Sequence, residues 1–306
     1  MKRLFLLVFI PSIIYCSTAT TIFDFLNIPC GARPTAVGGG FSAFCDPYSI
    51  FYNPAGICNT PSMTVSSTIR HYIAGINSGI LLWEKPDFNG VIGIAINYIN
   101  LGSMERRDID VNLNGSFTPI SLSTRFAYAR YIGLFKGGIS VNLIYENIDK
   151  YSAFAPAVDI GAIYTPPSIP QLSLGFSLNN LGYEIISFRD TRENLPYKIK
   201  TGMLYRPLPS YTFSLDVERQ INGRQDFILG TEIAFSPTFV FRAGYSSRGQ
   251  DLKVGMPMDV TAGLSFGVGL VRNRLKIDYT ASSMVDLGIA HQISISFLHK
   301  EEKSKK

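Results

Sequence analysis

The chain has 306 residues, a formal net charge of +5, and 17% charged against 46% hydrophobic residues, which is less charge than the roughly 25% of an average soluble domain. Two of its positive charges are Lys2 and Arg3, so the remaining excess is too small to mark a partner for nucleic acid. With 16 Tyr, 21 Phe and 27 Gly against a single Trp, and no run of about 18 apolar residues after the start, the composition favours strands and turns and excludes a helical membrane protein.

At the start, Met1-Lys2-Arg3 precedes an apolar run from Leu4 to Tyr15, broken by Pro11 and Ser12, and then Ser17-Thr18-Ala19. This is the pattern of a secretory leader, expected to span residues 1–19 and to be cleaved before Thr20. The run is shorter than the roughly 20 residues of a membrane-spanning helix. Acylation at Cys16 is the alternative, and the bulky Tyr15 disfavours it. Export leaves Cys30, Cys45 and Cys58, an odd number that permits one disulfide without saying which. Their spacing fits no zinc pattern, so no metal site is expected from them.

Residues 20–60 do not alternate and are rich in Gly and small residues with interspersed aromatics. Such a segment ahead of the first strand is expected to fold into the barrel described below as a hatch. The run Gly38-Gly39-Gly40 provides backbone freedom, and Phe41, Phe44, Phe51 and Tyr52 are its candidate ligand-contacting residues, with plain packing of the hatch as the competing role. Asn53-Pro54-Ala55-Gly56 reads as a rigid turn holding the hatch against the first strand.

From about residue 60 to 298 the chain alternates in segments of about ten residues, bounded by Gly, Pro, Asn or charges. Strands are predicted at 62–71, 79–85, 90–100, 119–132, 136–146, 157–165, 171–180, 196–206, 210–218, 226–236, 238–246, 258–269, 274–281 and 286–298. Fourteen is an even count, as single-chain bacterial barrels show. Segment 211–218 sets Tyr211, Phe213, Leu215 and Val217 against Thr212, Ser214, Asp216 and Glu218, an apolar face outward and a polar one inward. A soluble sandwich shares that period. Loop length separates the two: connections after even strands are short, while those after odd strands reach about eighteen residues at 101–118, ten at 147–156, fifteen at 181–195 and eleven at 247–257. A tail, 299–306, follows Leu298.

A charge facing lipid at mid-membrane costs roughly 2–4 kcal/mol for Arg or Lys. Asp159, Asp216, Glu232, Arg242 and Asp278 share the register opposite large apolar residues and are expected in the lumen. Asp216, Glu232 and Arg242, on consecutive strands, are expected to form one ion-pair network. Its role is to hold the barrel or its plug rather than to select a substrate. Tyr98, Tyr128, Tyr131, Tyr145, Tyr164, Tyr205, Tyr245 and Tyr279 fall near strand ends, where an interfacial girdle lies. With only His71, His291 and His299, and no nearby acidic orienter, no catalytic dyad is legible. No phosphate-cradling loop or zincin pattern occurs either, so neither an enzyme nor a cofactor is expected.

The order Gly31-Ala32-Arg33, Gly39-Gly40-Phe41 and Asn53-Pro54-Ala55-Gly56, then Asp159-Ile160-Gly161-Ala162, Leu174-Gly175-Phe176-Ser177-Leu178-Asn179-Asn180 and Arg242-Ala243-Gly244-Tyr245, resembles the FadL-like and PorV/PorQ-like outer-membrane barrels, including uncharacterised FadL relatives. The resemblance covers nearly the whole mature chain. It implies a fourteen-stranded barrel with an N-terminal hatch, seated in the bacterial outer membrane by the barrel-assembly machinery. It also implies that long-chain fatty acids or similar hydrophobic molecules move inward past outer-membrane lipid. A PorV-like component of a secretion machine is the other function it implies. An open water pore is disfavoured, because a barrel of this size is filled by its hatch.

Overall fold

A computed structural model of the chain describes residues 22–72, 75–107, 112–188, 192–220 and 223–299. The expected leader lies outside the described residues, as does the tail beyond His299. Fourteen antiparallel strands close into a barrel. In chain order these are β1 (Thr64–His71), β2 (Asn77–Asp87), β3 (Gly90–Asn100), β6 (Ile120–Ile132), β7 (Phe135–Ile148), β8 (Tyr151–Tyr164) and β9 (Leu172–Gly182). The circuit continues through β10 (Lys198–Leu208), β11 (Tyr211–Gln220), β12 (Gln225–Ala234), β13 (Phe239–Ser246), β14 (Leu264–Arg272), β15 (Leu275–Ser283) and β16 (Ile289–Leu298). Two further strands, β4 (Met104–Arg107) and β5 (Leu113–Phe117), form a separate hairpin in the connection from β3 to β6. The circuit is completed by β1 pairing with β16.

Each predicted barrel strand corresponds to an observed one, with two boundaries corrected. The ten-residue loop expected at 147–156 is a turn at Asp149-Lys150, where Asp149 takes a positive φ of 55° and β8 begins at Tyr151. Pro156, the last residue of the loop expected there, sits opposite Leu143 within the β7–β8 ladder. Residues Pro257–Thr261 form a 3-10 turn instead of the start of a strand, so β14 begins at Leu264.

The outer face is apolar: Ile69 on β1, Leu81 on β2, Phe213 on β11 and Leu229 on β12 are all exposed, at 71%, 60%, 48% and 51%. Fully exposing a large apolar side chain to water forgoes roughly 1.5–3 kcal/mol of burial, so a belt of this kind belongs in a hydrocarbon solvent. None of the eight tyrosines assigned to the girdle is buried. Inward-facing positions are small or polar, including Ser66, Thr68, Ser140, Asn142, Ser294 and Ser296.

Residues 22–60 occupy the barrel interior. Phe23 and Phe25 pack with Ile99, Ile144, Ala155 and Leu195 at the end of the long loops. A short helix, α1 (Ala32–Ala36), lies against β13 to β16. Two 3-10 turns follow, Pro47–Phe51 and Pro54–Asn59, capped by the side chains of Asp46 and Asn53. At the end of the short turns the Tyr131 hydroxyl donates to Asn59 Oδ1 at 2.6 Å. The segment therefore runs the length of the barrel before β1 begins.

Candidate functional site

The inner segment approaches the wall most closely where the wall has no side chain. Gly138 of β7 and Gly161 of β8 are directly paired. A Cβ at Gly138 would collide with the backbone of Pro54 and Ala55, and one at Gly161 with the Asn53 side chain. In the space this leaves, Asn53 Nδ2 donates to Ser42 O at 2.6 Å, to Ala162 O at 3.1 Å and to Phe176 O at 3.3 Å. Its Oδ1 accepts from Ala55 N at 3.1 Å, as an N-cap residue does. The Asn53-Pro54-Ala55-Gly56 box is thus seated on β6 to β9 and not on the first strand as expected. The buried Asn53 amide is satisfied by carbonyls of β8 and β9.

Across the barrel a second glycine pair, Gly230 of β12 and Gly244 of β13, accepts the segment at Val37 and Gly38. Gly38 and Gly39 take φ of 76° and 87°, so the glycine run does adopt left-handed backbone.

Between these contacts lies a closed ring of ion pairs. Arg33 donates to Glu232 through two hydrogen bonds of 2.8 and 2.7 Å and to Asp46 at 2.6 Å. Arg242 donates to Glu232 at 2.6 Å and to Asp278 at 2.8 Å. Lys276 bridges Asp278 at 3.4 Å and Asp46 at 3.3 Å. Three cations alternate with three carboxylates, so the formal charges cancel within the ring. Arg33 and Asp46 belong to the inner segment and the other four to the wall.

Of the expected network, Glu232 and Arg242 are joined in this ring and Asp216 is not. Asp216 instead accepts from Ser42 N at 2.9 Å, fixing the chain after the glycine run. The β11–β12 register explains the separation: Asp216 is paired with Ile228 while Glu232 is paired with Thr212, so the two inward carboxylates lie apart along the strands and Asp216 sits against Gly40. Asp159 pairs with Arg125 at 3.3 Å. All five charges assigned to the lumen are buried.

The four aromatics face each other and the wall. Phe41 and Phe44 stack with centroids 4.2 Å apart, Tyr52 tilts against Phe41 at 5.5 Å, and the Arg125 guanidinium lies 5.1 Å from the Phe51 ring. All four are buried in one apolar cluster with Ile50, Ile57 and Leu82.

Space for a ligand lies at the long-loop end. A cleft of about 280 Å³ opens between the inner segment and β13 to β16, with Ile28, Pro29, Tyr72, Leu252, Leu264 and Met284 among its walls. Behind residues 27–30 is a second, small pocket of about 20 Å³, lined by Leu26, Ile28, Phe51 and Tyr52 and by Arg125, Lys198, Lys200 and Arg248. Lys198, Lys200 and Arg248 converge on the single carboxylate of Glu218, Arg248 also reaching Asp226 at 3.2 Å. Arg70 borders the cleft, is buried, and has no carboxylate partner among the described residues. It donates to Ser78 Oγ at 2.9 Å and to Pro29 O at 2.8 Å. Arg248 similarly donates to Asn27 O at 3.3 Å. Two guanidinium groups therefore hold residues 27–29 by their carbonyls, in the wall that cleft and pocket share.

Sequence reasoning missed Arg33, Asp46, Arg70, Lys276 and the pocket cations. Arg70 was detectable in principle, because it alternates with exposed residues of β1 and so had to face inward.

No protein-family model and no curated protein matches the sequence. Solved structures do match in fold. A TodX monoaromatic hydrocarbon channel carrying a deltaS2 mutation aligns with a TM-score of 0.63 at 12% identity, over 89% of this chain and 99% of its own. The Pseudomonas putida toluene transporter TodX aligns at 0.59 and 12%, over 88% and 96%. The CymD monoaromatic hydrocarbon channel aligns at 0.59 and 12%, over 90% and 99%. The chain thus shares the closed fourteen-stranded barrel fold of these structures.

Proposed function

We propose that this chain is a bacterial outer-membrane transporter for long-chain fatty acids or similar hydrophobic molecules, with residues 20–60 as its hatch. The reading rests on one observation: an apolar cleft at the long-loop end shares residues 27–29 and Arg248 as a common wall with a small cation-lined pocket, and two guanidinium groups hold Asn27 and Pro29 there by their backbone carbonyls. An apolar tail fits the cleft, and a carboxylate is a better acceptor for Arg70 and Arg248 than a neutral carbonyl, since charge-assisted hydrogen bonds are roughly twice as strong. An arriving acid would displace the Pro29 and Asn27 carbonyls and free the segment to move. Entry requires rearrangement of the hatch and no covalent chemistry. The hydrocarbon channels that share the fold support passage of apolar molecules. A PorV-like secretion component, the other candidate, has no need of buried cations beside an apolar cleft.

The test is uptake of a labelled fatty acid into vesicles containing the purified mature barrel, with ion conductance recorded in parallel. Saturable uptake with low conductance supports the transporter. Absence of uptake and of fatty-acid binding would leave the scaffold reading in its place.

A further inference from the structure

The seam where the barrel closes, between the first and last strands, carries a feature that the transport reading does not use. The β1–β16 register sets His71 directly opposite His291. Both lie on the outer face at the long-loop rim, because their chain neighbours Arg70 and Gln292 are buried in the interior. Directly opposed residues in an antiparallel pair have Cβ atoms about 4.5–5.5 Å apart, within reach of a shared ligand. Each imidazole is also oriented through the same nitrogen. His71 Nδ1 lies 3.0 Å from Asn77 Oδ1, an acceptor, so Nδ1 carries the proton and Nε2 keeps its lone pair. His291 Nδ1 lies 2.8 Å from the Tyr279 hydroxyl, against whose ring it stacks at 6.0 Å. Metal-bound histidines are held in this way, with the second nitrogen hydrogen-bonded to an outer partner that fixes tautomer and ring plane.

We propose that His71 and His291 form a two-imidazole site for a borderline first-row divalent cation of the zinc or copper type, bound through the two Nε2 atoms. Imidazole nitrogen suits these ions, which bind it at about 2.0–2.1 Å in the case of zinc. Water completes the coordination. Among the described residues no group of three or more metal-ligating side chains occurs, so this is an open site and not a structural cage. Its consequence is mechanical: a cation held by both strands staples the seam, and a ligand that binds the closed barrel alone stabilises it by mass action.

Cu²⁺ added to the untagged mature barrel in detergent, followed by pulsed electron paramagnetic resonance, counts the coordinating imidazoles directly. The expected result is one ion with two imidazoles in the wild type, one in His71→Ala and in His291→Ala, and an unchanged pair in the control His299→Ala. A single imidazole in the wild type, or a pair persisting in either seam variant, overturns the proposal, and the wild-type count is decisive even if a variant fails to assemble. Zn²⁺ should raise the unfolding temperature of the wild type and of His299→Ala but not of the seam variants. An equal rise in all four would also overturn it.

Discussion

Arg33 and Glu232 meet in a two-bond, fork-to-carboxylate contact that joins the inner segment to the barrel wall. Because Glu232 also receives Arg242, removing Arg33 leaves a buried carboxylate short of one of its two cations. Breaking a buried pair from one side costs on the order of 3–5 kcal/mol. Arg33→Ala is therefore expected to loosen the segment, raising single-channel conductance and speeding hydrogen exchange over residues 32–46. If Glu232→Gln restored the seating of Arg33→Ala, the ring itself would account for the effect.

The seat of Asn53 predicts a different failure. Asn53→Ala removes a cap and leaves the carbonyls of Ala162 and Phe176 without this donor; a lost cap alone costs about 1 kcal/mol. Ligand transfer should weaken while the barrel remains heat-modifiable. Gly161→Ala should be more severe, since its methyl group occupies the place of the Asn53 side chain. Limited proteolysis of residues 40–60 would rank the two.

Arg70 separates acids from neutral ligands. A hydrogen bond to a charged group contributes about 1.5–3 kcal/mol, so Arg70→Gln should weaken binding of a fatty acid roughly 10- to 100-fold. A neutral alkane or toluene should bind nearly as before. Equal losses for acid and hydrocarbon would mean that Arg70 shapes the cleft rather than recognising a carboxylate.

Deleting residues 22–58 should leave an assembled barrel with higher ion conductance and no ligand retention, measured in planar bilayers and by equilibrium binding. Unchanged conductance would show that the segment does not block the lumen.

The β4–β5 hairpin is tied to the β7–β8 turn by Arg106, whose Nε donates to Asp149 at 3.0 Å. That hydrogen-bonded pairing holds the Asp149 carboxyl below its usual range. The tether is therefore complete at neutral pH and is lost only as pH falls through the lowered value, below the ordinary aspartate range. A spin label at Ser116 should become mobile in acid in the wild type and at all pH values in Asp149→Asn.

The strand count, the inward register of Asp159, Asp216, Glu232, Arg242 and Asp278, and the apolar exterior were legible because a two-residue period assigns every side chain a face. The β7–β8 loop was not, since Pro156 and the small residues Ala153, Ala155 and Ala157 carry little strand propensity where the ladder in fact continues. The site was less legible still. Arg33, Asp46 and Lys276 meet only because the inner segment crosses the lumen, and no period in the sequence encodes which wall residue a non-repeating segment will touch. His71 and His291 lie at opposite ends of the barrel sequence and become neighbours only through closure.

The course of residues 22–60, from the long-loop end down to the short turns and directly into β1, also constrains how the molecule is made. Such a thread is difficult to insert into a finished cylinder, because the lumen it occupies is the space it would need to pass through, and its lower end is already the first stave. The wall is instead expected to be wound around it, with the Gly138–Gly161 and Gly230–Gly244 hollows closing on a segment already in place and the last stave meeting the first only afterwards. Residues 22–60 then act as a mandrel that sets the order of winding, and a barrel lacking them should close around an empty lumen without that order imposed.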